Sequence, residues 1–150
     1  MKVGTKGHYG VRAMVALARA YGSGPMPLSG IAAQEDLSPS YLEQLMTQLR
    51  RAGLVEGSRG AHGGYVLTHE PSQMTVGQVV RALDGPVDLV NCASEVEDPN
   101  CCEKESNCSS RVVWQRMKES IALVLDSTTL ADLCRESIPV AGKGGLSGKA

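Results

Sequence analysis

The sequence has no phenylalanine, one tryptophan and only four tyrosines in 150 residues, so any core it builds has to be aliphatic. No apolar run reaches the ~18 residues that a membrane-crossing helix needs, and no membrane association is expected. The N-terminus lacks the basic-then-apolar pattern and cleavage site of a secretory signal. The reading is a cytoplasmic protein, in a compartment where thiols stay reduced. There is no Walker loop, no Ser/His/Asp arrangement with a supporting motif and no pair of catalytic carboxylates. Cys-x-x-Cys is also missing, which argues against a thiol redox enzyme. The chain is therefore not expected to be an enzyme.

What is present is unevenly charged. Residues 1–66 carry seven Lys/Arg against four Asp/Glu, a balance of +3, whereas residues 67–140 carry six against twelve, a balance of −6. A basic N-terminal half suits a polyanionic partner.

Apolar periodicity places the helices. Val11, Met14, Val15 and Ala18 mark a buried stripe on a first helix from about Lys6 to Tyr21, which the Gly- and Pro-rich stretch 22–27 ends. A short helix follows over about Ser29–Asp36, with Leu28, Ile31, Ala32 and Leu37 inward. Ser38 is a good N-cap, Pro39 suits the first helical position, and Leu42, Leu45, Met46 and Leu49 form the next apolar face. Gly53 is placed to end that helix. Leu54-Val55 and Tyr65-Val-Leu67 read as strands around a polar tip with four glycines in nine residues. Further helices are expected over Thr75–Leu83 and Ser110–Leu125, with a short one from Thr129.

Two short helices joined by a tight turn, then a hairpin with a long polar tip, make a winged helix–turn–helix. The fold class is mainly α with a small β-hairpin. Four parts are expected: a winged DNA-binding domain over 1–84, a Cys-rich segment over 85–109, a dimerisation helix and a short terminal helix over 110–138, and a disordered tail over 139–150. The outer face of the second helix of the motif carries Ser38, Ser40, Tyr41, Glu43 and Gln44. Gln can pair with adenine, Glu can accept from cytosine, and hydroxyls can take either role. Arg50 lies at the far end of that helix, suited to the DNA backbone. Arg59, between small residues at the hairpin tip, suits a narrow minor groove.

Four of the five cysteines, Cys92, Cys101, Cys102 and Cys108, lie in an acidic stretch. Reduced thiols gathered in this way suit an iron–sulfur cluster or zinc. Cys134, beside Leu130 and Leu133, reads as a core thiol. The apolar stripe from Trp114 to Leu125 reads as the interface of a homodimer, and a two-fold dimer implies an inverted-repeat operator on double-stranded DNA.

Met1-Lys-Val-Gly-Thr-Lys-Gly-His-Tyr-Gly10, Leu42-Glu-Gln-Leu45, Gly53-Leu-Val55 and Arg59-Gly-Ala-His-Gly-Gly-Tyr65 resemble the IscR-type bacterial transcriptional regulators. The resemblance covers about residues 1–135. It implies dimeric winged-helix regulators, many of which bind an iron–sulfur cluster, here most simply a 2Fe-2S cluster, and it implies control of cluster-biogenesis genes. It assigns Ser38, Ser40, Tyr41, Glu43 and Gln44 to the major groove and Arg59 to the minor groove. Glu43 matches a position that helps discriminate operator types. The family's ligand pattern is Cys-x5-Cys-x5-Cys-x2-His. Here Cys102-x5-Cys108 keeps the second spacing, Cys92 lies farther upstream than the first spacing requires, and Arg111 stands where the family has its histidine. Arg stays protonated and cannot ligate. Cys101, a carboxylate of the segment, and His8 remain open as the fourth ligand; in a nitric-oxide-sensing branch, a residue at the position matching His8 comes from the partner subunit. Zinc or thiol oxidation at the same cysteines, and a winged protein-interaction module, are the alternative readings.

Overall fold

The first helix, α1 (Thr5–Arg19), is lined with small residues, and these decide how closely its neighbours approach. It buries Gly7, Gly10, Ala13, Met14, Ala16, Leu17 and Ala18. The stripe expected from periodicity is thus only partly right: Met14 and Ala18 are buried, but Val11 and Val15 are half-buried at the margin of the core. The reason is that α1 is covered on several sides, so its small residues, not its largest ones, mark the closest approaches.

The computed structural model describes residues 3–60, 63–89, 93–96 and 108–135. After α1 come α2 (Leu28–Glu35), α3 (Pro39–Arg51), β1 (Val55–Ser58), β2 (Gly64–Leu67) and a 3-10 turn at Pro71–Gln73. Then follow α4 (Val76–Asp84), α5 (Arg111–Ser127) and α6 (Leu130–Cys134). Among the described residues the fold is mainly helical with one two-stranded antiparallel sheet, as expected. Cys92, Cys101, Cys102, His62 and the tail 139–150 lie outside the described residues. None of the described helices is long and apolar enough to cross a membrane.

The core is aliphatic. Met14, Ile31, Leu42, Leu45, Met46, Leu49, Met74 and Leu130 are all essentially inaccessible to solvent. Each such side chain contributes ~1.5–3 kcal/mol by leaving water. α4 lies across α1 because Gly7 and Gly10 leave room for Asp84 and Leu83, which a Cβ at either position would strike. α6 packs back on α1 and buries Leu130, so this short helix completes the N-terminal core. Its expected neighbour Cys134 is half-buried against the same core.

The wing is an antiparallel pair with Val55 opposite Leu67 and Ser58 opposite Gly64. Its second strand is also stapled to the chain before α2. Tyr65 N–H donates to Met26 O at 2.9 Å, and Met26 N–H donates to Tyr65 O at 3.0 Å. A Cβ on Gly64 would overlap the backbone of Met26, which cannot swing aside as a side chain can. Gly64→Ala is therefore expected to cost about 1–3 kcal/mol, the usual range for overpacking. Denaturant unfolding monitored by circular dichroism measures it, and an unchanged midpoint would contradict the close approach of β2 to Met26.

Candidate nucleic-acid interface and cysteine segment

The turn between α2 and α3 is shaped by Asp36, which adopts the left-handed conformation (φ 54°) while Leu37 N–H bonds back to Ala32 O at 2.9 Å. Asp tolerates this region better than most non-glycine residues. Ser38 then caps α3: its Oγ accepts the Tyr41 N–H at 3.3 Å, with Pro39 at the first helical position. At the other end Gly53 is left-handed (φ 78°), and the Leu54 and Gly53 N–H groups bond to Leu49 O and Arg50 O. This is a Schellman ending, which satisfies carbonyls that would otherwise lack partners.

Between these caps α3 buries Leu42, Leu45, Met46 and Leu49 and leaves Ser40, Glu43 and Gln44 exposed. Those three line one shallow concavity with Thr47, Gln48 and Arg51. The Thr47 hydroxyl is turned onto its own helix, donating to Glu43 O at 2.8 Å. Arg50 and Arg59, apart in sequence, line a second concavity between the wing and the start of α2, with Pro27, Leu28, Ser58 and Tyr65. Arg51 of the first concavity and Arg50 of the second are sequence neighbours in the last turn of α3.

Tyr41 is set apart from this group. Its ring meets Tyr9 edge-on with centroids 6.3 Å apart, and its hydroxyl is buried without a hydrogen bond among the described residues. Tyr9 in turn lies under the Arg12 guanidinium, 5.7 Å from it, and Arg12 Nε donates to the buried Glu35 at 2.8 Å. These contacts tie α1 to α2 and α3. Nothing in the local pattern of α2 marked Glu35 as an inward-facing residue.

Of the expected metal ligands, His8 and Cys108 are described. His8 is exposed on α1, its ring 5.0 Å from that of Tyr9. Cys108 Sγ lies 3.1 Å from Ser110 Oγ, just before α5. The Ser110 hydroxyl, then the Ser110 and Arg111 backbone N–H groups and the Arg111 charge, hold this thiol below the ordinary cysteine range. That favours the thiolate, the form that ligates metals. Among the described residues no three His, Cys, Asp or Glu side chains converge as a metal site.

One polar centre had no counterpart in the sequence reading. Arg81 on α4 donates from Nε to Glu95 at 2.9 Å and from Nη2 to Asp126 at 3.1 Å. The two carboxylates raise the Arg81 pKa well above its usual value, and the Arg81 hydrogen bonds hold the Glu95 carboxyl below the usual carboxylate range.

The Rrf2 family model, described as an iron-dependent transcriptional regulator, matches residues 3–136. The chain belongs to the Rrf2 family. The transcriptional regulator CymR of Bacillus subtilis is 45% identical over 133 residues, covering 89% of both chains. The solved structure of that protein, called the global cysteine regulator of its organism, matches with a TM-score of 0.75 over 89% of this chain and 96% of its own. The regulator IscR of Klebsiella pneumoniae is 35% identical over 145 residues, covering 95% of this chain and 86% of its own. A T. potens IscR structure matches with a TM-score of 0.71 at 41% identity, covering 97% and 96%. This Rrf2 member is thus a helix–turn–helix transcriptional regulator and not an enzyme, as its sequence suggested.

Ser38 is both a cap and an exposed residue at the head of α3, and the two roles can be separated. Ser38→Ala is expected to lower stability by about 1 kcal/mol through loss of the cap. Ser38→Asp keeps the cap and should restore the melting temperature, yet should weaken DNA binding, because a carboxylate there would repel phosphate. Thermal melts and a gel shift on the same two variants check this, and equal DNA binding by Ser38→Asp and wild type would place Ser38 away from DNA.

Proposed function

We propose that this Rrf2 regulator binds double-stranded DNA as a homodimer, at an inverted-repeat operator, and that an iron–sulfur cluster in the Cys-rich segment tunes that binding. The observation that carries the DNA-binding part is a pair of concavities that both include residues of α3: Ser40, Glu43 and Gln44 in one, Arg50 with Arg59 of the wing in the other. The first offers donors and acceptors to base edges in a major groove. The second offers two guanidinium groups for phosphate or for a narrow minor groove. Glu43 adds selectivity, since a carboxylate near DNA is tolerated only where it meets a donor. In this reading the winged unit reads DNA, the Cys-rich segment receives the signal and α5 joins two copies.

The dimer is supported by α5. It buries no residue, and Val112, Val113, Met117, Leu123 and Val124 are between 44% and 69% exposed. Apolar exposure on that scale is expected where a second copy covers it.

Cys92, Cys102 and Cys108 are the proposed thiolate ligands, with His8 or Cys101 completing the set. A bound 2Fe-2S cluster would supply a redox-active centre whose presence reports iron and sulfur supply. The thiolate-favouring surroundings of Cys108 fit such a role. Arg111 does not ligate, but its charge beside Cys108 favours the thiolate. Control of cluster-biogenesis genes follows from this reading. A second reading is favoured by the 45% identity to CymR: the same DNA-binding unit controls cysteine-related genes, with the cysteines acting as reactive thiols or zinc ligands.

Anaerobic purification followed by a visible spectrum and iron, sulfide and zinc assays separates the two. The first reading expects coloured protein with iron and sulfide, and loss of that colour in a Cys92→Ala, Cys102→Ala, Cys108→Ala variant. Colourless, iron-free wild-type protein that still binds DNA would favour the second. For the wing, Arg59→Ala is expected to weaken operator binding by about 5- to 150-fold, matching ~1–3 kcal/mol for a specific contact. Full-strength binding in a gel shift would remove Arg59 from the interface.

A further inference from the structure

Arg81 holds two carboxylates that belong to different parts of the regulator. Glu95 lies three residues beyond Cys92 in sequence, and Asp126 lies in the last turn of α5. Arg81 itself sits on α4, inside the winged unit. A guanidinium is planar and offers its donors as a rigid fork, so two carboxylates bound to one Arg are fixed relative to each other.

The surrounding contacts close the assembly. Glu95 also accepts the Val87 N–H at 2.7 Å, while its own N–H donates to Val87 O at 3.0 Å. Lys118 of α5 donates to Ser94 O at 3.3 Å. On α4, Gly77 makes room for Asp126: a Cβ there would overlap both the Asp126 carboxylate and the Arg81 guanidinium. Because α5 has no buried residue, its orientation depends heavily on such polar ties.

We infer that Arg81 is a positioning residue that couples the cysteine-bearing segment to α5. Movement of Glu95 withdraws one of the two carboxylates from the fork, and Arg81 then re-seats against Asp126. The tilt of α5 about its held C-terminal end shifts with it, and so does the apolar face offered to a second copy. The regulatory part of this inference rests on the reading that the cysteines receive a signal. The mechanical part does not.

Hydrogen–deuterium exchange on the full-length reduced protein tests the mechanical part. None of the hydrogen bonds or ion pairs of Asp126 among the described residues is with residues 87–96. Asp126→Asn is nevertheless expected to raise amide exchange in peptides covering 87–96 about threefold, by loosening Arg81. Arg81→Gln should raise exchange in both 87–96 and 120–127, and adding Asp126→Asn to it should change 87–96 no further. Unchanged exchange at 87–96 in Asp126→Asn would overturn the coupling. Arg81→Lys, which keeps the charge but not the fork, should behave like Arg81→Gln; wild-type exchange in it would also overturn the assignment.

The regulatory part is read by fluorescence anisotropy with a promoter fragment, comparing anaerobic cluster-loaded and chelator-stripped protein. In Arg81→Gln the ratio of their affinities is expected to fall to within about twofold. If the wild type itself shows no difference, the cluster reading fails, and the regulatory part with it. A wild-type ratio retained in Arg81→Gln would overturn the regulatory part alone.

Discussion

Gly7 and Gly10 let α4 lie against α1 closely enough for Asp84 to accept the Gly4 N–H at 2.9 Å, and much of the molecule is arranged around that approach. The carboxylate of Asp84 sits at the start of α1, where the helix dipole favours negative charge. With α4 in this place, α6 can cover another part of α1 and seal the core with Leu130. α2 and α3 complete the enclosure, tied by the Arg12–Glu35 ion pair and the Tyr9–Tyr41 ring contact. The helix α3 is therefore carried on a well-packed base, which restricts how its exposed polar side chains are presented.

The wing shares in this restriction. Met26 pairs with Tyr65, so the hairpin is braced against the strand-like segment that leads into α2. The glycines of the tip read, from sequence, as places where backbone could approach a ligand. Gly64 has an internal reason as well: its missing Cβ admits the backbone of Met26. Bracing of this kind keeps Arg59 near Arg50, at the concavity between the wing and the start of α2.

Local signals were the legible ones. The Ser38-Pro39 cap, the apolar positions 42, 45, 46 and 49 and the terminating Gly53 placed α3 correctly, because each acts within one or two turns. The start of α4 at Thr75 was found likewise, and its Thr75–Gln78 capping box is a pattern that sequence alone carries. Ion pairs were not legible. Arg12–Glu35, Arg81–Glu95 and Arg81–Asp126 join residues 23, 14 and 45 positions apart, and no periodicity announces such partners. The burial of α1 was misjudged for a related reason: periodicity weighs large apolar residues, while close helix contact is made by the smallest. The polar face of α3 was anticipated well except at Tyr41, whose ring turns toward Tyr9. The cysteine ligand set rests on spacing, with Cys108 as its described member.

The C-terminal end of α5 is held by main-chain hydrogen bonds. Just beyond its C-terminus, Thr128 O accepts the Val76 N–H and Leu130 N–H donates to Met74 O, stitching that end to the head of α4. At its N-terminus stand Ser110, the half-buried Arg111 and the exposed Val112 and Val113, with Cys108 just before them. A tilt of the helix about Thr128 would carry its cysteine end farthest. Seventeen residues at ~1.5 Å each make an arm of roughly 25 Å, so a swing of about 10° moves the tip by about 4 Å. Leverage also runs the other way: a modest displacement imposed at Cys108 arrives at the pivot much reduced in travel and correspondingly multiplied in force.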